Sequence, residues 1–294
     1  MKTKHQDIAL TNSELSISIH THGAELCSIN HQGTEYLWQA DPQFWSRHSP
    51  VLFPIVGAVW NNTYRVEGKE YQLSQHGFAR DMDFEVVSVQ PHEVWFKLES
   101  NADTLPKYPF PFNLNIGYEL EGNKIHVKWK VYNPSDNDLH FQIGAHPAFY
   151  YQGDPKEDVK GYFRLKPADN LQFTLIQEKG CADTTHHYPL TTEDNGLLPI
   201  TKDTFSRDAL IFEDAQLEEV TLCDANKHPY LKVSFRSPLV GLWAPSAESP
   251  FVCIEPWYGR CDRAGYQGEY QDKDWIQTLQ SKQTFEGGYT IEIL

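Results

Sequence analysis

The chain has 294 residues, of which 40% are hydrophobic, 22% charged and 13% aromatic, and this composition excludes a disordered chain and a membrane-embedded one. Its formal net charge is −15 and it has no run rich in Lys and Arg, which excludes the basic surface that a nucleic-acid partner requires. The length suffices for one large β domain or for two ordinary domains.

The predicted elements are mostly strands, because polar and hydrophobic residues alternate with a period of two along much of the chain. Six segments show this alternation and are predicted to be half-buried antiparallel strands: residues 14–20, 93–98, 113–120, 124–131, 230–236 and 289–294. A continuous apolar run at residues 251–254 is expected to lie within the sheet. Glycine, asparagine and proline mark turns between the strands, as at residues 121–123 and 133–135.

Helical signals are few, and residues 42–47 and 272–279 each predict no more than one short helical turn. Strands do not alternate with long helices, so a parallel α/β fold is disfavoured. We find no linker and no repeat of fixed period. Residues 1–294 are therefore predicted to form a single all-β domain, a large antiparallel β-sandwich, with the last strand in its sheet.

The cysteines are odd in number and irregularly spaced, which argues against a disulfide framework or a zinc site: Cys27, Cys181, Cys223, Cys253 and Cys261. We expect them to be buried small apolar residues in a reducing, cytoplasmic compartment. The N-terminal residues lack the apolar core of a signal peptide. The longest apolar stretch, residues 51–60, is broken by Pro54 and Gly57, so no membrane span is expected.

Three short segments, far apart in the sequence, each contain a proton-transfer side chain among aromatic, glycine and proline residues. They are residues 75–80 with His76, residues 144–149 with His146, and residues 253–259 with Glu255. Two imidazoles and a carboxylate suffice for paired general acid and base chemistry. The neighbouring aromatic residues suit the apolar faces of a sugar ring. The sequence therefore indicates an enzyme that opens and recloses a cyclic sugar.

A proline follows both His146 and Glu255, and it biases each residue towards an extended backbone, as at the end of a strand. We expect a glutamate at the mouth of the apolar strand 251–254 to be partly desolvated, which raises the pKa of its carboxyl towards that of a useful base.

Two further patterns have both a functional and a structural interpretation. Arg80 lies four residues after His76, and it either donates forked hydrogen bonds to a ligand or forms a salt bridge with Asp81 or Asp83. The pattern His20-x-His22, with Glu25 nearby, places two imidazoles on one strand face, as in some metal sites. No third ligand falls at a convincing spacing, so no metal is predicted.

Taken together and in this order, the segments His-Gly-Phe-Ala-Arg (76–80), His-Pro-Ala-Phe (146–149) and Ile-Glu-Pro-Trp (254–257) resemble the signature of the aldose 1-epimerase (galactose mutarotase-like) family, in its LacX-type bacterial branch. The resemblance covers most of the chain. Residues 23–29 resemble the opening glycine-alanine strand of the family, and residues 53–57 resemble its substrate-facing Phe-Pro loop.

The resemblance implies a sandwich of the galactose mutarotase type and a role for each matching residue. His146 matches the general acid that protonates the ring oxygen, and Glu255 matches the general base that takes the proton of the anomeric hydroxyl. His76 matches the second histidine, which holds the ring-oxygen side. Asp208 resembles the acidic residue that binds sugar hydroxyls, and Arg80 is a candidate substrate contact. Trp257 either flanks the sugar or packs beneath the loop.

The implied activity is the interconversion of the α and β anomers of a free aldohexose, without cofactor or metal and with a small sugar as the partner. Many relatives have an arginine directly after the glycine of the Phe-Pro loop, whereas this chain has Ala58 there. Arg65 and Arg80 are the candidates to replace that arginine. The alternatives are a hexose-6-phosphate 1-epimerase, a sugar-binding protein without turnover, and an enzyme that acts on polysaccharides.

Overall fold

The computed structural model describes residues 7–154, 156–193 and 196–294, which are almost entirely β structure and include no α-helix. In chain order the strands are β1 (Asp7–Thr11), β2 (Leu15–His20), β3 (Glu25–His31), β4 (Thr34–Glu35), β5 (Val51–Leu52), β6 (Thr63–Val66), β7 (Lys69–Gln72), β8 (Glu85–Val89), β9 (Glu93–Glu99), β10 (Asn113–Glu121), β11 (Lys124–Tyr132), β12 (Leu139–Phe141), β13 (Ile143–Ala145), β14 (Ala148–Tyr150), β15 (Val159–Lys166), β16 (Gln172–Phe173), β17 (Ile176–Glu178), β18 (Cys181–Ala182), β19 (Tyr188–Pro189), β20 (Leu197–Thr201), β21 (Leu210–Phe212), β22 (Glu219–Cys223), β23 (Pro229–Phe235), β24 (Leu239–Trp243), β25 (Phe251–Tyr258), β26 (Gln277–Leu279) and β27 (Thr284–Ile293). Short 3₁₀ turns lie at Trp60–Asn62, Ala79–Asp81 and Tyr270–Asp272.

The strands form a large sandwich of antiparallel sheets, as predicted. One sheet has nine strands in the order β20-β15-β22-β23-β27-β11-β10-β9-β8, and a second has the order β21-β24-β25-β13-β5 with β14 also paired to β25. A third sheet contains β1 to β4. Buried side chains of the first two sheets, such as Trp129 and Ile254, belong to one continuous hydrophobic core. Alternate residues of β11 are buried, which explains the period of two in its sequence.

All six segments predicted from alternation are strands, within a few residues of the expected ends: β2, β9, β10, β11, β23 and β27. The last strand indeed lies in the sheet, and it pairs with both β11 and β23 near the middle of the nine strands.

The prediction that Glu255 lies at a strand end is wrong, because β25 continues through Pro256 to Tyr258. Ile254 donates its N–H to Pro147 across the interrupted pairing between β13 and β14. Amide directions alternate along a strand, so the nitrogen of Pro256 faces the same interruption. The missing N–H of Pro256 therefore costs no pairing there, and the strand tolerates the proline.

The two predicted helical turns have different outcomes. The carbonyl of Asp41 accepts hydrogen bonds from Phe44 and Trp45 at 3.1 and 3.0 Å, which makes one turn within residues 42–47. The prediction for residues 272–279 is wrong, because the 3₁₀ turn ends at Asp272 and residues 277–279 form β26. That strand is paired to β12, and this tertiary pairing overrides the weak local helical preference.

Other predictions concern residues away from the site. All five cysteines are buried free thiols, as expected. Among the described residues, no helix has the length and apolar character needed to cross a membrane. The assignment of residues 1–294 to one domain stays a prediction.

Candidate active site

The arrangement of His146 and Glu255 follows from the sheet topology. Strands β13 and β14 both pair with β25, and His146 and Pro147 occupy the gap between them. Glu255 lies in β25 opposite this gap, with Gly241 of β24 as its partner on the other side. Nε2 of His146 consequently lies 3.3 Å from Oε2 of Glu255, and both side chains are buried.

The side chains of His146 and Glu255 are buried, but not all of their polar atoms make hydrogen bonds to the part of the chain that the structure describes. Within the described residues, neither Nδ1 of His146 nor Oε2 of Glu255 has a hydrogen-bond partner. Buried polar atoms are nearly always paired, so these two atoms are free to bond to a ligand or to water in the cavity. Burial, and then the charge of Arg80, lowers the pKa of His146 to about 3. Burial, and then the charge of Asp208, raises the pKa of Glu255 well above its usual value.

His76 is fixed by the Phe-Pro loop. Its backbone N–H donates to the carbonyl of Gly57 at 2.8 Å, and the N–H of Gly57 donates to Nδ1 of His76 at 3.1 Å. Because Nδ1 accepts a hydrogen bond, the neutral ring carries its proton on Nε2. Burial, and then His146, lowers the pKa of His76 well below its usual value, so the ring is neutral. The rings of His76 and His146 meet edge to face, with centroids 5.5 Å apart.

The backbone at His76 and Gly77 explains why this segment contains a glycine. Both residues have positive φ, of 66° and 70°. A Cβ on Gly77 would lie 2.3 Å from the carbonyl oxygen of Phe53, so only glycine fits where the two loops touch. The same carbonyl accepts hydrogen bonds from Phe78 and Ala79 at 3.0 and 3.2 Å, which joins the two loops.

Arg80 lines the cavity, and it is held from one side only. Its Nη2 donates to the carbonyl of Gln75 at 2.8 Å, and Nε lies 3.7 Å from Asp81. That Nε is buried and makes no hydrogen bond within the described residues. Asp83 instead contacts His22, at 2.8 Å. Burial, and then the charge of Arg47, lowers the pKa of Arg80 to about 10, so the guanidinium stays charged at neutral pH.

Asp208 also lines the cavity, two residues before β21 begins. It is exposed, and its φ of 73° places it in the left-handed region, which asparagine and aspartate tolerate better than most residues. Its carboxylate accepts the N–H of Ala209 at 2.8 Å.

Trp257 lines the cavity although it is only 5% exposed. Its indole N–H donates to the carbonyl of Ala145 at 3.1 Å. Two glycines make room for the ring, since a Cβ on Gly144 would lie 2.5 Å from it and one on Gly241 would lie 2.3 Å from it. Trp257 thus packs under the site and forms part of its wall. Tyr258 lies away from the cavity and packs on Trp129 and Phe285.

The sequence did not single out the aromatic residues around His146. Trp45 stacks on the imidazole with centroids 4.7 Å apart and an interplanar angle of 28°. Trp243 meets the same ring edge to face at 5.2 Å. Both tryptophans line the cavity, and nothing in their local sequence distinguishes them from core aromatic residues.

The cavity measures about 410 Å³ and brings together all six residues predicted for the site. Its walls also include Val56, Gly57, Gln75, Ile176, Gly180, Ala209, Ile211, Pro245 and Cys261. Arg65 is not among the lining residues, because it binds Glu70 and the carbonyl of Gln267. Ala58 faces the hairpin formed by β17 and β18, where a Cβ on Gly180 would lie 3.3 Å from that of Ala58.

Two groups of side chains within the described residues bring three possible metal ligands within 4.8 Å of one another: Glu25, Cys27 and His48, and then His146, Cys253 and Glu255. Metal binding requires the thiolate. Burial, and then a neighbouring glutamate, raises the pKa of both thiols, so both are protonated. His20 and His22 each contact a different aspartate, Asp7 and Asp83. These donor sets do not favour a metal, and its absence stays a prediction.

The sandwich has the architecture of the galactose mutarotase-like proteins. The family model described as aldose 1-epimerase matches residues 6–265, and the chain belongs to this family. Protein LacX (chromosomal) of Lactococcus lactis subsp. lactis is 31% identical over 98% of this chain and 99% of that protein.

Two solved structures match nearly the whole chain. One is a galactose mutarotase related enzyme from Lactobacillus acidophilus, 32% identical with a TM-score of 0.91, covering 98% of this chain and 97% of that one. The other is a galactose mutarotase-like protein from Lactobacillus casei ATCC 334, 29% identical with a TM-score of 0.92, covering 98% of this chain and all (100%) of that one.

Proposed function

We propose that the protein is an aldose 1-epimerase, an isomerase that interconverts the α and β anomers of a free aldohexose. The observation that carries this proposal is the buried contact of 3.3 Å between His146 and Glu255, with one orphaned polar atom on each side chain. Family membership and relatives described as galactose mutarotase-like support the same activity.

Ring opening requires two proton transfers at neighbouring oxygens. Glu255 as carboxylate takes the proton of the anomeric hydroxyl, and His146 as imidazolium gives its proton to the ring oxygen while the bond from that oxygen to the anomeric carbon breaks. The anomeric carbon becomes an aldehyde, which rotates and is attacked on its other face. Ring closure then returns both protons. Each group contributes roughly 10²–10⁴-fold to the rate.

The number of protons that His146 and Glu255 hold between them is the same before and after ring opening. The imidazolium–carboxylate form needed for opening and the imidazole–carboxylic acid form needed for closing both hold one proton in total. Burial lowers the pKa of His146, which disfavours a second proton on the pair, and raises the pKa of Glu255, which disfavours loss of the first one. The cycle consequently proceeds without proton exchange with water.

The remaining residues bind and orient the sugar. The Nε2–H of neutral His76 is the donor that we assign to the ring oxygen, beside His146. Arg80 donates to sugar oxygens and Asp208 accepts from sugar hydroxyls, since both residues line the cavity. Trp257, Trp45 and Trp243 provide apolar surface for the ring faces.

The substrate that we favour is a neutral sugar. Of the lysines and arginines in the described residues, Arg80 alone lines the cavity, while the guanidinium of Arg47 binds Asp81 at 2.8 Å. A hexose 6-phosphate is bound best by two or more basic side chains. A binding protein without turnover has no need for a buried acid–base pair, so this alternative is disfavoured as well.

The experiment is polarimetric relaxation of freshly dissolved α-glucose and α-galactose, with and without the protein, against the spontaneous rate. Acceleration supports the epimerase, and the ratio of the two rates defines the preferred sugar. If glucose, galactose and their 6-phosphates all relax at the spontaneous rate, the proposal is wrong and a sugar-binding protein remains.

A further inference from the structure

Residues 41–50 carry two side chains that act on the site, although the segment has no regular secondary structure beyond one turn. Trp45 stacks on His146 at 4.7 Å between centroids. Arg47 donates to Asp81 at 2.8 Å, next to Arg80. The orientation of both side chains therefore depends on a few specific hydrogen bonds that fix the segment.

Glu25, the first residue of β3, makes two of these bonds. Its Oε1 accepts the backbone N–H of His48 and of Ser49, each at 2.9 Å. On the other side, the carbonyl of His48 accepts the N–H of Ala148 at 3.0 Å. Ala148 is the first residue of β14 and lies two residues after His146. The Glu25 carboxylate therefore holds residues 48 and 49 next to the strand that follows the proposed general acid.

The segment is also held at Trp45, whose carbonyl accepts the indole N–H of Trp38 at 2.8 Å. This bond fixes the position of the backbone at Trp45, whereas the Glu25 bonds fix the chain three residues later. Together the two anchors hold the backbone at and after Trp45, whose ring packs against one face of the His146 imidazole.

Glu25 is ionised in this environment. Burial alone raises the pKa of its carboxyl, but the hydrogen bonds from His48 and Ser49 outweigh burial and lower the pKa below its usual value. A buried carboxylate makes short, strong hydrogen bonds to backbone N–H groups, and these are stronger than bonds from a neutral acceptor.

We propose that Glu25 is a positioning residue for the epimerase reaction: it fixes residues 45–49 so that Trp45 holds the His146 imidazole in line with Glu255. This inference rests on the proposed function. Glu25 itself does not line the cavity. It acts through the stack of Trp45 on His146, and small misplacements of a reacting group cost up to about 10²-fold in rate.

The test compares Glu25→Ala and Glu25→Gln with wild type in kcat, KM and stability. Glu25→Ala is expected to lower kcat at least about tenfold with little change in KM. Glu25→Gln keeps an oxygen acceptor for both N–H groups and is expected to retain most of kcat. The matched control is Asp224→Ala, which also removes a carboxylate that accepts two backbone N–H groups, those of Asn226 and His228, at 2.8 Å each. Asp224 lies in the turn between β22 and β23, and its loss is expected to leave kcat unchanged.

A double-mutant cycle with Trp45→Ala tests whether the two residues act together. We expect Glu25→Ala to lower kcat no further once Trp45 is truncated. Independent, multiplying losses would overturn the proposal, as would a wild-type kcat in Glu25→Ala. If Glu25→Ala fails to fold, Glu25→Asp replaces it, since it keeps the charge but falls short of the two N–H groups by one methylene.

Hydrogen exchange measured by mass spectrometry separates this inference from the proposed function. Glu25→Ala is expected to increase exchange at residues 41–50 and leave the nine-stranded sheet unchanged, whether or not a sugar substrate has been found. If the wild type accelerates the interconversion of anomers for no sugar, the proposed function is wrong. The exchange measurement still tests whether Glu25 fixes residues 45–49. Unchanged exchange at residues 41–50 would overturn the positioning role.

Discussion

Nε2 of His146 and Oε2 of Glu255 lie 3.3 Å apart because a break between two short strands faces the middle of a third. The contact is a consequence of sheet pairing and not of a flexible loop. Its geometry is consequently as well defined as the backbone around it, which is what the proposed proton transfers between these side chains and a bound substrate require.

Removal of either member of this pair should abolish most of the activity. We expect Glu255→Gln and His146→Asn each to lower kcat by about 10²–10⁴-fold, since each loses one proton transfer. The double variant should be little worse than either single variant, because the groups act as a unit. Polarimetry measures the rates, and circular dichroism checks that each variant folds. Near-wild-type kcat in either single variant would contradict the assigned roles.

The pH profile should differ from that of an ordinary histidine enzyme. An ordinary imidazole titrates near 6.5, whereas the pKa of His146 is lowered to about 3 and that of Glu255 is raised. The pair takes up a second proton only as the pH approaches about 3, and it loses its single proton only at the raised pKa of Glu255. We therefore expect kcat/KM to stay level as the pH falls through 6.5. A loss of kcat/KM with a midpoint near this value would show that the pair holds no shared proton.

Asp208 offers a test of binding separate from chemistry. Asp208→Asn keeps the shape and tolerates the φ of 73° but removes the charge. We expect KM to rise several-fold with little change in kcat, as for an interaction made equally in the ground and transition states. Because the charge of Asp208 contributes, after burial, to the raised pKa of Glu255, the alkaline limb of kcat/KM should also move to lower pH. Asp203→Asn, an exposed aspartate outside the cavity, is the control.

We expect that no larger residue can replace Gly241 without loss of stability, because the Trp257 ring packs against it. A Cβ at this position would lie 2.3 Å from Trp257, whose ring is buried and held by its hydrogen bond to the carbonyl of Ala145. We expect Gly241→Ala to lower the free energy of unfolding by about 1–3 kcal/mol and to reduce activity. Gly117→Ala is the control, since its Cβ would meet Trp95, which is half-buried and can move outwards. Urea unfolding compares the two, and equal losses would contradict the prediction.

A buried ion pair anchors the chain just after the Phe-Pro loop, at Trp60. Asp262 accepts from Lys273 at 2.7 Å and from the N–H of Trp60 at 2.8 Å, and both charged side chains are buried. Asp262→Ala leaves the ammonium without its counter-charge, so we expect a loss of about 3–5 kcal/mol in urea unfolding. Adding Lys273→Met should restore part of it. Arg263→Ala, which breaks a more exposed pair with Asp274, should cost less than about 1 kcal/mol.

The strands and six of the residues that line the candidate site were predictable from sequence because their signals are local, while the roles of those six stay predictions. Alternation along β11 reflects one buried and one exposed face, and the motif around His76 contains the glycine that its loop contact demands. The position of Glu255 within its strand was not predictable. The proline after it indicates a strand end unless the neighbouring ladder is broken, and that break depends on β13 and β14, more than a hundred residues earlier.

The same reasoning explains why Trp45, Trp243 and Glu25 were not assigned to the site. A tryptophan that stacks on a distant imidazole has the same local sequence as one in the core. Glu25 was considered only as a neighbour of His20 and His22, whereas its hydrogen-bond partners, His48 and Ser49, lie in another segment. Roles that arise from tertiary contacts leave no period or spacing to detect.

The place of β27 in the nine-stranded sheet has a consequence for how the protein is made. Until residues 284–293 emerge from the ribosome, the sheet exists as two halves of four strands, and β11 and β23 each present an unpaired edge. Open edges pair readily with other chains, and pairings across long sequence separations form slowly. Unfinished chains are thus the vulnerable species, and a lower concentration of them during expression should increase the yield of folded protein.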